Sequence, residues 1–242
     1  MCDALQLPIV DLSSPDRFST ANSIRQACID HGFFYLVNHG VDEELVNKVF
    51  EQISKFFSLP IEEKMKVIIK NYNGYSPLFA GKLDTTLSTK GDSKEGFYVS
   101  QLAGDLNQWP LEGMSAGTKL LSLIALSLKL DEDFFEKVGA FNEPLASLGL
   151  LHYPGEVDSS NEEIYANIFF TLVKADLSGE IRATAGLGGC AKQEWVAFFL
   201  NPSKDCNVEC LESCCSEDCP RRFPPIKALD YLEERLRLTY GL

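Results

Sequence analysis

Histidine and cysteine are the side chains of this 242-residue sequence best equipped for metal or redox chemistry, and they are unevenly supplied. The three histidines are His31, His39 and His152. A lone histidine can bind a metal or move protons near neutrality. However, His31 closes a helical pattern and His39 sits in the turn Asn38-His39-Gly40, where turn or core roles are the plainer readings. Of the eight cysteines, Cys2, Cys28 and Cys190 are scattered, whereas Cys206, Cys210, Cys214, Cys215 and Cys219 crowd into 14 residues. Four thiolates suffice for a closed zinc site. The spacings here are not paired C-x-x-C knuckles, so a cysteine-rich loop is the expected reading. Gly186-x-Gly188-x-x-Ala191 has the letters of a dinucleotide fingerprint but neither the strand before it nor the helix after it that the motif requires.

Composition narrows the functions available. Asp and Glu number 35 against 22 Lys and Arg, a formal net charge of −13, which repels phosphate backbones and argues against nucleic-acid binding. The longest apolar run, Leu120 to Leu130, is interrupted by Ser122, Ser127 and Lys129 and falls well short of the ~20 residues a bilayer span needs, so no membrane association is expected. Met1-Cys2-Asp3 lacks the basic start of a secretory signal, and the expectation is a cytoplasmic chain with reduced thiols.

The elements that must position any site follow from periodicity. Leu7 to Leu12 reads as an entry strand, and Ile24, Ala27, Cys28 and His31 mark one face of a helix capped near Ser19 or Thr20. Phe33 to Val37 reads as a buried strand. Asp42-Glu43-Glu44 opens a second helix whose apolar stripe runs from Leu45 to Phe57 and which Leu59-Pro60 ends. From Asn71 to Pro110 only Gly96 to Val99 looks like a strand. Leu120 to Leu130 reads as a buried helix, Leu148 to Tyr153 and Val196 to Leu200 as core strands, and Leu229, Leu232 and Leu236 as the stripe of a last helix. The fold class expected is α+β.

The order of these phrases is specific. Pro8-Ile9-Val10-Asp11-Leu12, Gly32-Phe33-Phe34-Tyr35-Leu36-Val37-Asn38-His39-Gly40-Val41 and Phe56-Phe57-Ser58-Leu59-Pro60 resemble the N-terminal region of plant-type 2-oxoglutarate/Fe(II)-dependent dioxygenases, the isopenicillin-N-synthase-like group. Leu151-His152-Tyr153-Pro154-Gly155, Ala197-Phe198-Phe199-Leu200-Asn201-Pro202 and Arg222-Phe223-Pro224-Pro225-Ile226 resemble its later segments. The resemblance implies a helical N-terminal region over 1–110 and, over 111–242, a jelly-roll (double-stranded β-helix) core with a C-terminal helix. It also implies Fe(II) held by a His-x-Asp pair and a distant His, 2-oxoglutarate clamped by an Arg-x-Ser pair, and oxidation of a small organic molecule.

This sequence departs from that pattern where the chemistry lies. No His-x-Asp or His-x-Glu occurs anywhere, and aligning Val196 to Phe199 on the family's final strand puts Gln193 at the Arg position and Trp195 at the Ser position. Gln cannot neutralise a carboxylate and Trp offers one donor. Only Tyr153 matches a residue that lines the cosubstrate site, and a core strand tyrosine explains it as well. Eight strands with connections need roughly 90–100 residues, but Leu148 to Pro202 spans 55. The core is therefore expected to be an incomplete barrel, and no iron, 2-oxoglutarate or catalytic residue is expected of this chain.

Residues 167–195 resemble nothing in the family. One codon choice for Thr184 to Cys190, shifted by one base, reads Leu-Gln-Val-Trp-Glu-Asp-Val, which looks like the family's segment here. The hypothesis is that this window is an out-of-frame read; transcript codons incompatible with that string would sink it. Three functions compete: an inactive shortened oxygenase, an active one with ligands relocated among His152, Glu156, Asp158, Glu162 and Asp176, and a non-enzymatic binding or regulatory protein that pairs with an intact relative. The first is the expectation. Substrate and oligomeric state are left open by the sequence.

Overall fold

The computed structural model describes residues 7–80, 93–101, 111–154, 193–218 and 220–240. Most of the 167–195 window lies outside them, as do the Gly186–Ala191 fingerprint, Glu156, Asp158, Glu162, Asp176, Cys2, Cys190 and Cys219. Helices and short strands alternate early and an antiparallel sheet follows, giving the α+β class expected. The chain divides into two compact units, one drawn from residues 1–41, 108–145 and 200–231 and the other from 42–107, 146–199 and 232–242.

In the first unit, β1 (Ile9–Asp11) lies parallel to β2 (Tyr35–Val37), and α1 (Arg17–Asp30) connects them. The α1 cap is Asp16, not Ser19 or Thr20: its carboxylate accepts the Ser19 N–H at 3.0 Å. The Thr20 hydroxyl instead donates to the Asp16 carbonyl at 2.8 Å, as an interior Thr does. Ile24 and Ala27 are buried as their spacing predicts, but Cys28 is exposed. α4 (Leu111–Ser127) packs beside α1, with Val10, Leu12, Ile24, Leu120 and Leu123 forming the core between strand and helices. Each such aliphatic side chain contributes about 1.5–3 kcal/mol when taken out of water. Polar pins hold the rim, since Arg17 Nη2 donates to Ser122 Oγ at 2.8 Å and Arg25 Nη1 to the Ser127 carbonyl at 3.1 Å. The short helix α5 (Phe134–Lys137) also belongs to this unit.

In the second unit, α2 (Glu43–Phe57) starts where Asp42 accepts the Leu45 N–H at 2.9 Å, with Glu43 and Glu44 in its first turn. Its apolar stripe is buried toward the C-terminal end, at Ile53 and Phe57, while Leu45 is exposed. One short turn, α3 (Ile61–Met65), follows Pro60. The sheet runs β3 (Gly74–Ser76), β4 (Glu95–Ser100), β5 (Pro144–Tyr153) and β6 (Gln193–Ser203) in that order. Strand β6 continues through Asn201-Pro202, which the sequence reading takes as its end; it stands at the sheet's edge, where Pro is tolerated. The short β3 comes from a stretch with no alternation to read, and it pairs with β4 through Gly74↔Tyr98, Tyr75↔Phe97 and Ser76↔Gly96. The core of this unit is aromatic: Phe56 meets Phe57, Tyr75 and Phe97 edge to face at centroid distances of 5.3, 5.9 and 5.0 Å.

Candidate functional site

Register decides which side chains of the sheet meet. Glu95 of β4 stands directly opposite His152 of β5, and Phe97 opposite Leu150. Because side chains alternate across a strand, Tyr75, Glu95, Phe97, Leu150 and His152 share one face of the sheet. Phe57 of α2 and Lys64 of α3 cover that face.

A buried polar cluster results. Lys64 Nζ donates to Glu95 Oε2 at 2.7 Å, the Tyr75 hydroxyl donates to the same oxygen at 2.5 Å, and His152 Nδ1 lies 2.7 Å from Oε1. Lys64 also donates to the Phe57 carbonyl at 3.3 Å and sits 5.4 Å from the centre of the Tyr75 ring. Phe57 stacks on the His152 imidazole at 5.2 Å. Relative exposures of 7% for Lys64, 4% for Glu95, 1% for Tyr75 and 6% for His152 place the whole cluster away from water. Burial opposes ionisation of Glu95, but hydrogen bonds from Lys64, Tyr75 and His152 and the Lys64 charge outweigh it and hold the carboxyl below its ordinary range. Burial first, and then the neighbouring Glu95, pushes the Tyr75 phenol well above its ordinary value. Among the described residues His152 Nε2 is buried without a hydrogen-bond partner, so the imidazole's one engaged nitrogen is the one facing Glu95.

Tyr153, the one residue the sequence reading ties to a cosubstrate site, ends β5 on the opposite face and is half-buried. That face also carries Gly96, Tyr98 and Gly149. A Cβ at Gly96 would lie 2.9 Å from the Tyr98 ring and one at Gly149 3.3 Å from it, so the two glycines let that ring lie flat on the sheet. The face is floored by backbone and an aromatic ring.

The other two histidines belong to the first unit. The His39 Nδ1 accepts the Val41 N–H at 3.1 Å, closing the turn in which Asn38 (φ 53°) and Gly40 (φ 81°) are left-handed. The His31 backbone N–H caps α1 on the Ala27 carbonyl. Trp195 is half-buried in β6, and Gln193 begins that strand. Among the described residues, Cys206, Cys210, Cys214 and Cys215 included, no three His, Cys, Asp or Glu side chains come together in a metal-holding group. Sequence reasoning missed Lys64, Tyr75 and Glu95. The available signal was Glu95 alternating with Phe97 and Val99 on one face of its strand, a carboxylate at a core position.

Comparison with known proteins places this geometry. Residues 7–114 match the family described as non-haem dioxygenase in morphine synthesis N-terminal. The chain is 29% identical to kihadalactone A synthase LFS of Citrus sinensis over 307 residues, covering 96% of this chain and 91% of that protein. That alignment is 65 residues longer than the 242-residue chain, so the relative carries at least that many without a counterpart here. Among solved structures, a 2OG-Fe(II) oxygenase family protein of Caulobacter crescentus superposes with a TM-score of 0.69 at 20% identity, over 97% of this chain and 99% of that one. A full-length Neurospora crassa protein, in complex with alpha-KG and thymine, gives 0.68 at 18% identity over 98% of each. The chain is thus similar to the non-haem 2-oxoglutarate/Fe(II) dioxygenases, matching their N-terminal region over residues 7–114 and having the fold of solved 2OG-Fe(II) oxygenases.

Proposed function

We propose that this chain is a non-catalytic relative of the 2-oxoglutarate/Fe(II) dioxygenases, keeping the scaffold and not the iron chemistry. The observation that carries this reading is the fate of the three histidines. A facial iron site needs two histidines and a carboxylate converging on one point. Here His39 serves a turn, His31 ends a helix, and His152 is spent on Glu95 inside a cluster already neutralised by Lys64. The residues present do not fit the iron. Gln193 and Trp195, where the family pattern has Arg and Ser, leave the far carboxylate of 2-oxoglutarate without its cation.

In this reading residues 1–110 are the dioxygenase N-terminal region and 111–242 the remnant of the barrel. The positions missing relative to the Citrus sinensis enzyme support a core cut short internally. A small organic molecule such as the thymine of the Neurospora crassa complex belongs to intact relatives in this reading, with Tyr153 the surviving mark of the cosubstrate face. Residence in the cytosol is part of the same reading, supported by five free cysteines among the described residues. No helix among those residues is long and apolar enough to cross a membrane. The test is consumption of 2-oxoglutarate by the purified chain supplied with Fe(II) and ascorbate. No succinate above the protein-free rate is expected; steady turnover would overturn the proposal and favour relocated ligands.

A further inference from the structure

The cysteine cluster is the one chemistry-bearing motif that this reading leaves unused, and its setting is defined. β7 (Asn207–Val208) pairs antiparallel with β8 (Ile226–Lys227), through Asn207↔Lys227 and Val208↔Ile226, and zips the neck of a loop over 209–225. The neck is reinforced by the Ala228 N–H on the Cys206 carbonyl at 2.9 Å, at the start of α6 (Ala228–Tyr240), and by Lys227 Nζ on the Asp205 carbonyl at 2.7 Å. Inside the loop a single 3-10 turn, Glu212–Cys214, reverses the chain, closed by the Cys214 N–H on the Leu211 carbonyl at 2.9 Å. Arg221 Nη2 reaches Glu212 Oε1 at 3.1 Å and ties the returning limb to that turn.

The thiols of this loop differ in availability. Cys215 is parked, its Sγ–H donated to the Leu211 carbonyl at 3.3 Å. Cys214 is exposed, and the Ser213 hydroxyl lies 3.9 Å from its sulfur. Cys210 stands half-buried just before the turn, separated from Cys214 by three residues in sequence. Cys210 and Cys214 lie four positions apart with the turn Glu212–Cys214 between them, and so short a loop gives each thiol a high effective concentration for the other. Direct closure between Cys214 and Cys215 is opposed by the trans peptide joining adjacent residues, which keeps their Cα atoms ~3.8 Å apart, below the span a disulfide prefers.

We propose that the loop is a redox-responsive site in which Cys210 and Cys214 close a disulfide by exchange with a low-molecular-weight disulfide of the glutathione class. The Cys214 thiolate attacks one sulfur of that oxidant, forms a mixed disulfide and expels the first thiol. The Cys210 thiolate then attacks the Cys214 sulfur and expels the second. Two protein thiols lose two hydrogens, and the oxidant's disulfide becomes two thiols, so atoms and electrons balance. The neck pairing β7·β8 lies outside the ring that closes and need not break.

The experiment treats the full chain with glutathione disulfide, blocks remaining thiols, and digests with a protease that cuts after glutamate. Glu212 lies between the two cysteines, so cleavage there leaves a linked pair of peptides only if the bridge has formed. The chain carrying Cys206→Ser, Cys215→Ser and Cys219→Ser is expected to show the Cys210–Cys214 link, to lose two titratable thiols, and to recover both with dithiothreitol. Adding Cys214→Ser should abolish the link. Glutathione adducts on both Cys210 and Cys214, or both of these thiols left free, in the triple variant would overturn the proposal, as would a wild-type bridge joining other cysteines. Circular dichroism of each variant separates these outcomes from a loss of fold.

Discussion

Lys64 and Glu95 form a buried ion pair that survives out of water because every charged atom has a partner. The Glu95 oxygens take Lys64, Tyr75 and His152, and Lys64 has the Phe57 carbonyl besides. Truncating one member strands the other's charge, at a cost of about 3–5 kcal/mol, whereas removing both costs less. Lys64→Met is therefore expected to lower the urea-derived stability by that amount, with Lys64→Met/Glu95→Leu less damaging than the single change. A double variant as damaging as the two single losses added together would contradict the pairing. The same cluster sets a pH response. The folded Glu95 carboxyl ionises below its ordinary range, so its stabilisation is complete above the ordinary value of about 4.3 and drains as pH falls through the lower folded value. The Tyr75 phenol is raised, so its share is present below the ordinary value of about 10 and is lost as pH climbs through the folded one. Urea midpoints taken from neutral pH into acid should fall less steeply for Glu95→Gln than for the parent chain; parallel curves would remove Glu95 from the account.

At the scale of elements, the turn before β3 depends on Gly74. Its φ of +118° is a conformation other residues rarely adopt, and a Cβ there would stand 2.6 Å from the Val67 carbonyl oxygen. That oxygen already accepts the Tyr75 N–H at 2.7 Å and has nowhere to go. Gly74→Ala is expected to cost about 1–3 kcal/mol and to disturb Tyr75, and with it the Glu95 cluster. A thermal melt within a degree of the parent's would show that the turn relaxes freely. Elements are legible in the sequence where periodicity is long or a cap is present: Asp42-Glu43-Glu44 announces α2, and the apolar run at Leu120 announces α4. They are not legible where three residues make a strand, as in β3, because alternation cannot be counted over so short a run. The α1 cap falls at Asp16 and not at Ser19 or Thr20, although all three residue types suit an N-cap; only geometry shows that Asp16 accepts the Ser19 N–H. The site is less legible than the fold. Lys64 and Glu95 lie 31 residues apart in sequence and His152 lies 57 beyond Glu95, and no local pattern joins them.

For the molecule as a whole, the proposed reading is a family scaffold kept without its iron chemistry. The N-terminal phrases of the sequence and the match over residues 7–114 point to the same family, and the fold is that of solved oxygenases. The Citrus sinensis relative carries at least 65 residues that this chain lacks. The sequence contains no His-x-Asp pair, and the family resemblance would put Gln193 and Trp195 at the Arg and Ser positions of the last strand. Among the described residues, the interior of the second unit is aromatic packing around Phe56 and a charge cluster on the helix-covered face of the sheet. Anaerobic Fe(II) binding, titrated with and without 2-oxoglutarate, tests this most directly. The account predicts no stoichiometric iron and no strengthening by 2-oxoglutarate. One iron per chain, bound more tightly when 2-oxoglutarate is present, would contradict it.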